Sequence, residues 1–210
     1  MITPSHNELA ARTELVLVKP HATRKEIETL CLYARENGFR GVCVNSSRVA
    51  EAFAVLEDSD VKVISTIGFP DGATDSDVKR YETEVALDHG AQEFEVALNL
   101  GWLKDAEDGT LLRELYDILE VAEERPVSLI FESNRLNRDQ QILVCRLAVE
   151  SGVKFVSVAC GDLETIKFVR ETVGPKFGIK ACDEISGSQQ ATEWLEAGAT
   201  LLATTVLPEF

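Results

Sequence analysis

The sequence predicts an α/β fold: a closed (β/α)8 TIM barrel whose final helix is missing or reduced. Three observations carry that reading. Eight short runs rich in β-branched and aromatic residues recur at intervals of roughly 25 residues, segments with helical period fill the gaps, and four of those segments run out on a glycine. Strand and helix therefore alternate, which calls for a parallel sheet. An open doubly wound sheet is the rival, but the first strand leads into Lys19-Pro20-His21-Ala22 instead of a Gly-x-Gly-x-x-Gly turn.

In chain order, the candidate strands are residues 15–18, 41–45, 61–67, 93–98, 127–131, 153–158, 177–180 and 201–205. The first gap repeats apolar residues at Ile27, Leu30, Cys31 and Ala34, the third at Val78, Tyr81 and Val85, and the fourth at Leu111, Leu115, Ile118 and Ala122. Thr23 with Glu26, and Ser186 with Gln189, have the spacing by which a cap hydroxyl and a returning side chain satisfy orphan amides at a helix start. Gly38, Gly90, Gly152 and Gly198 stand where a helix must leave through the left-handed region before the next strand. The eighth strand ends a few residues before Phe210, so no full helix is expected after it.

The chain has 210 residues, 45% of them hydrophobic and 27% charged, and nothing in its composition divides it, so residues 1–210 are expected to form one barrel domain. Lys and Arg number 21 against 36 Asp and Glu, a net charge of -15, with no basic run to meet a phosphodiester backbone. No nucleic acid partner is expected. Cys31, Cys43, Cys145, Cys160 and Cys182 are odd in number and set among apolar residues, as reduced thiols in a cytoplasm would be. The polar start and the lack of a long apolar run argue against a signal peptide and against membrane association.

In such a barrel the reactive face is built from the C-terminal strand ends. This selects Lys19, Asn45, the loop 68–72, Glu95, Glu132, Ser157, Cys160, Lys180 and the loop 182–184. Alternation in the fourth strand sets Glu93, Glu95 and Ala97 on one face, so the carboxylates are either inside with a partner or at the rim. Lys180, taken as ending a short strand, would be desolvated if it faced inward, which lowers its pKa and makes its amine nucleophilic toward a carbonyl. If it faced outward it would be an ordinary lysine reaching for solvent. A metal rim from Cys160, Asp162, Cys182, Asp183 and Glu184 lacks any histidine, so neither a metal nor a cofactor is expected. His89, beside a helix-ending glycine, reads as serving the last carbonyls, and Trp102 and Trp194 read as packing residues.

Several phrases resemble successive landmarks of the deoxyribose-phosphate aldolase family. They are Leu17-Val-Lys-Pro20, Gly41-Val-Cys-Val-Asn45, Ile67-Gly-Phe-Pro70, Glu95-Val-Ala-Leu-Asn-Leu-Gly101, Ile130-Phe-Glu-Ser133, Thr172-Val-Gly-Pro175, Gly178-Ile-Lys-Ala181 and Glu196-Ala-Gly-Ala-Thr200, in order over nearly the whole chain. The resemblance implies the same barrel and a metal-free class I aldolase, which cleaves 2-deoxyribose 5-phosphate to acetaldehyde and glyceraldehyde 3-phosphate through a lysine Schiff base. It also marks departures. Ser157 stands at the family's Schiff-base lysine, Ser128 at a second lysine, and Glu95 at the catalytic aspartate, while Glu14-Leu15-Val16 replaces an Asp-His-Thr phrase. Lys180 matches the family's other active-site lysine and is the only remaining candidate for the Schiff base.

At the phosphate end, Asp183 and Glu184 replace a glycine pair, and Ala203-Thr-Thr-Val-Leu207 replaces a glycine-bounded phrase. A pair of like unit charges about 4 Å apart costs ~1 kcal/mol in water and ~4 at an effective dielectric near 20, so a phosphate is poorly received there. Catalysis is accordingly expected from Lys180 and Glu95, with Ser157 at the old lysine position, and substrate contacts from Cys43, Asn45, Asp183, Glu184, Thr204 and Thr205. The expected ligand is a small aldehyde or sugar-type molecule. The alternative is an inactive aldolase-like barrel that binds a small metabolite or a protein partner. Because the C-terminal end leaves an edge uncovered, a homo-oligomer is the expected state.

Overall fold

The structure is a computed structural model, which describes residues 4–159 and 162–210. A short helix α1 (His6–Ala10) leads into β1 (Thr13–Leu17), followed by α2 (Arg24–Glu36), β2 (Gly41–Asn45), α3 (Val49–Leu56), β3 (Lys62–Ile67), α4 (Ser76–Asp88) and β4 (Glu93–Ala97). Then come α5 (Leu100–Lys104), α6 (Asp108–Val121), β5 (Val127–Glu132), α7 (Arg138–Ser151), β6 (Phe155–Ala159), α8 (Leu163–Val173), β7 (Gly178–Asp183), α9 (Ser188–Glu196) and β8 (Leu201–Thr204). All eight strands pair in parallel and in chain order, and β8 returns to β1, closing the barrel. No helix follows β8 among the described residues. The tail folds back, with Gly187 bridging Glu209 and the Phe210 ring 5.9 Å from that of Phe39.

Local chemistry sets the element ends. The Thr23–Glu26 capping box starts α2 as expected. The Ser186–Gln189 box does not form: α9 starts after Gly187, and the Ser186 amide donates to Gln190 Oε1 at 3.0 Å instead. The bridge to Glu209 keeps Gly187 extended, which moves the helix start and hence the returning side chain by one residue. Gly38, Gly90, Gly152 and Gly198 have φ of 69°, 101°, 85° and 119°, the left-handed exits their positions call for. None of the helices among the described residues is long and apolar enough to cross a membrane.

Between barrel and helices lies the main apolar core, in which Phe94, Val96, Leu129, Val156 and Ile179 face outward from the strands. That layer also contains an ion pair with no sequence signal. Lys79 of α4 is fully buried, and its Nζ donates to Glu114 Oε1 of α6 at 2.8 Å and to the Ala97 carbonyl at the end of β4 at 3.0 Å. Removing one member of a buried pair strands the other without a counter-charge. Lys79→Met is therefore expected to cost about 3–5 kcal/mol in urea unfolding, and Lys79→Met with Glu114→Leu to recover most of that loss. Equal losses in the single and double variants would contradict this.

Candidate active site

Inward-facing residues of β1, β4, β6 and β7 meet in a charged cluster inside the barrel. Lys180 is the third residue of β7 and completely buried. Its Nζ lies 3.0 Å from Glu14 Oε1 and 3.1 Å from Glu14 Oε2, 3.0 Å from Glu95 Oε1, and 3.7 Å from Glu93 Oε2. Arg40, just before β2, pairs with both Glu14 and Glu93. The period of two in β4 explains why Glu93 and Glu95 point to the same interior. Three carboxylates thus share two cations.

Lys180 departs from its sequence expectation in two respects. It does not end its strand, because β7 runs on to Asp183. Nor is its pKa lowered: burial is the largest single influence and acts downward, but Glu14, Glu95 and Glu93 together outweigh it and the net shift is upward. Burial alone would have freed the amine, whereas the surrounding carboxylates hold it as an ammonium. Burial likewise pushes Glu14 up, opposed by Lys180.

Above the cluster is a cavity of about 400 Å3 at the C-terminal end of the barrel. Its walls are apolar at Val16, Ile130 and Ala203, Glu95, Cys43 and Cys182 contribute from the interior, and Asp183, Glu184 and Thr205 also line it. Among the described residues no lysine or arginine lines it, so Glu95 meets the cavity while the Lys180 amine lies behind that carboxylate. Ser157 is fully buried; its hydroxyl donates to Glu95 Oε2 at 3.3 Å and is 3.0 Å from Cys182 Sγ. Burial, and next the charge of Glu95, drive both the Cys43 and Cys182 thiols upward, so they are protonated at neutral pH. Ser128, beside Glu95 on β5, has a buried hydroxyl with no hydrogen-bond partner among the described residues.

The other sequence-selected residues divide. Asp183 and Glu184 are exposed, with the Glu184 amide donating to Asp183 Oδ1 at 2.8 Å. Asn45 and Thr204 are not wall residues. Asn45 Nδ2 donates to the Val18 carbonyl at 3.1 Å, tying two strand ends together, and the Thr204 hydroxyl accepts from the Ile185 amide at 3.0 Å and donates to the Ile185 carbonyl at 3.2 Å. Their polar groups are committed to the scaffold. Asp162 caps α8 through the Thr165 amide at 2.8 Å, Cys160 lies outside the described residues, and no metal-holding group of side chains occurs among the described residues.

Sequence reasoning missed Arg40 and the part played by Glu14 and Glu93. The available signal was chemical: acidic residues at Glu14, Glu93 and Glu95, each next to apolar strand residues, demand buried cations, and few are at hand.

No family model matches the chain. A deoxyribose-phosphate aldolase of Alkaliphilus oremlandii is 36% identical over 199 residues, covering 91% of this chain and 90% of the relative. One of Thermococcus kodakarensis is 38% identical over 207 residues, covering 94% and 92%. Among solved structures, a tetrameric deoxyribose phosphate aldolase from Aeropyrum pernix superposes with a TM-score of 0.88 at 26% identity, over 96% of this chain and 88% of the other.

Proposed function

The chain belongs to the deoxyribose-phosphate aldolase family, and from that premise we propose that it is a carbon–carbon lyase of the aldolase type, with Lys180 its only candidate Schiff-base lysine and Glu95 its proton carrier. The observation that carries the reading is the Lys180–Glu95 contact of 3.0 Å at the base of the cavity. An ammonium cannot add to a carbonyl, so Lys180 must first pass a proton to a neighbour. Glu95 is in contact with both amine and cavity. Once protonated, it can return that proton to the carbinolamine oxygen, which leaves as water when the Schiff base forms. As a carboxylate again, it can take the substrate hydroxyl proton as the carbon–carbon bond breaks.

The proposed substrate is a small aldehyde or an unphosphorylated sugar-type molecule. Asp183 and Glu184 line the cavity and no cation lines it among the described residues, so a phosphate ester would meet two negative charges there. The tetrameric Aeropyrum pernix relative supports self-association of this chain as well. One observation favours a second reading, a barrel that binds such a ligand without turning it over: the carboxylates around Lys180 oppose release of its proton.

Borohydride trapping separates the two. With acetaldehyde, an adduct at Lys180 is expected by intact mass and peptide mapping, its yield rising with pH, because an upward-shifted lysine frees its amine only in the alkaline range. With 2-deoxyribose 5-phosphate no adduct is expected. Binding of acetaldehyde with no adduct at any pH would leave the second reading, and rapid cleavage of the phosphate ester would overturn the argument from Asp183 and Glu184.

A further inference from the structure

We infer that Glu14 is a positioning residue for the amine: its carboxylate, clamped by Arg40, holds Lys180 in the ammonium form beneath the cavity floor. The inference rests on the assignment of Lys180 as the reactive amine and deepens it by naming what restrains that amine. Glu14 brings both carboxylate oxygens to Nζ, at 3.0 and 3.1 Å. Glu95 brings one, at 3.0 Å, and its other oxygen accepts from Ser157. Glu93 stands off at 3.7 Å while its other oxygen is taken by Arg40.

Burial separates the three further. Glu14 is 0% exposed, so no water competes for its charge, whereas Glu95 meets the cavity, where solvent or a ligand weakens its hold. Among the described residues, the other groups facing Nζ do not alter this order. The Cys43 and Cys182 thiols are neutral, and the Phe155 ring, 5.2 Å away, favours the ammonium equally whichever carboxylate is present. Arg40 acts as counterweight: by pairing with Glu14 and Glu93 it reduces the negative charge felt at Nζ.

Each substitution therefore has a signed effect. Glu14→Gln should lower the titration midpoint of Lys180, Glu93→Gln should lower it less, and Arg40→Gln should raise it. The midpoint is read by carbon-13 NMR of labelled lysine side chains in the full chain, with circular dichroism confirming the fold. Acetaldehyde trapping is run on the same samples. For each pH unit by which the midpoint falls, the free amine, and with it the adduct yield at neutral pH, should rise about tenfold. Should Arg40→Gln fail to fold, the order of the two glutamate variants decides the matter.

A Glu14→Gln midpoint that stays as high as in the parent chain, or one moved further by Glu93→Gln, would overturn the inference. A lowered midpoint with no adduct in any variant would instead leave Glu14 as the restraint and remove Lys180 as a Schiff-base residue.

Discussion

Replacing Ser157 with lysine is expected to give an amine at position 157 that acetaldehyde and borohydride trap at neutral pH, where the parent chain yields little or none. Ser157 pairs in register with Lys180, its hydroxyl is 3.3 Å from Glu95, and Cys182, 3.0 Å from it, lines the cavity. A lysine at 157 would share one carboxylate with Lys180, whereas Lys180 itself is surrounded by three. The like charge of Lys180 beside it would also favour the neutral amine. Release of acetaldehyde from 2-deoxyribose should rise about a hundredfold, equivalent to about 2.7 kcal/mol of barrier. Filling a packed site with a longer side chain should cost roughly 1–3 kcal/mol of stability, which urea unfolding measures separately. A folded Ser157→Lys protein with no adduct at residue 157 would show that this position no longer faces a reactive cavity.

What could be read from the sequence was whatever has a local cause. Alternation at Glu93 and Glu95 implied a shared interior face, and Gly38, Gly90, Gly152 and Gly198 implied helix exits, because pleat and handedness are properties of neighbouring residues. The depth of Lys180 was not legible. Ala181-Cys182-Asp183 reads as the start of a loop, yet β7 continues through it, placing the lysine well inside the barrel. The sign of its pKa shift was lost for a related reason, since Glu14 lies 166 residues away along the chain and Glu95 lies 85 away. Lys79 lies outside the apolar period read at Val78, Tyr81 and Val85, yet the packing of α4 on α6 buries it while Val78 and Tyr81 are exposed.

Removing the central cation should have a large effect on stability. Methionine is close to lysine in length and apolar volume, so Lys180→Met leaves little cavity and isolates the loss of charge. Arg40 would still pair with Glu14 and Glu93, but Glu95 would have no paired cation among the described residues. Breaking a buried ion pair from one side costs about 3–5 kcal/mol. The cost should depend on pH in a defined direction. In the parent chain the folded pKa of Lys180 lies above its ordinary value of 10.5, so its contribution is complete below that pH and is lost as pH rises from there toward the folded pKa. In the variant, the uncompensated carboxylates are relieved by protonation. Glu14 is already shifted above its ordinary 4.5 by burial, so relief should begin above that value as pH falls. The stability gap between the two proteins is therefore expected to be widest from neutral to mildly alkaline pH and to narrow toward both extremes. Adding Glu14→Gln to Lys180→Met should recover part of the loss at neutral pH, since it removes the most deeply buried of the carboxylates that lose Lys180 and leaves Arg40 to Glu93. Urea unfolding of the three proteins across the pH range measures each term, and a loss below about 1 kcal/mol, the scale of an exposed pair, would mean that the cluster is solvated rather than sealed.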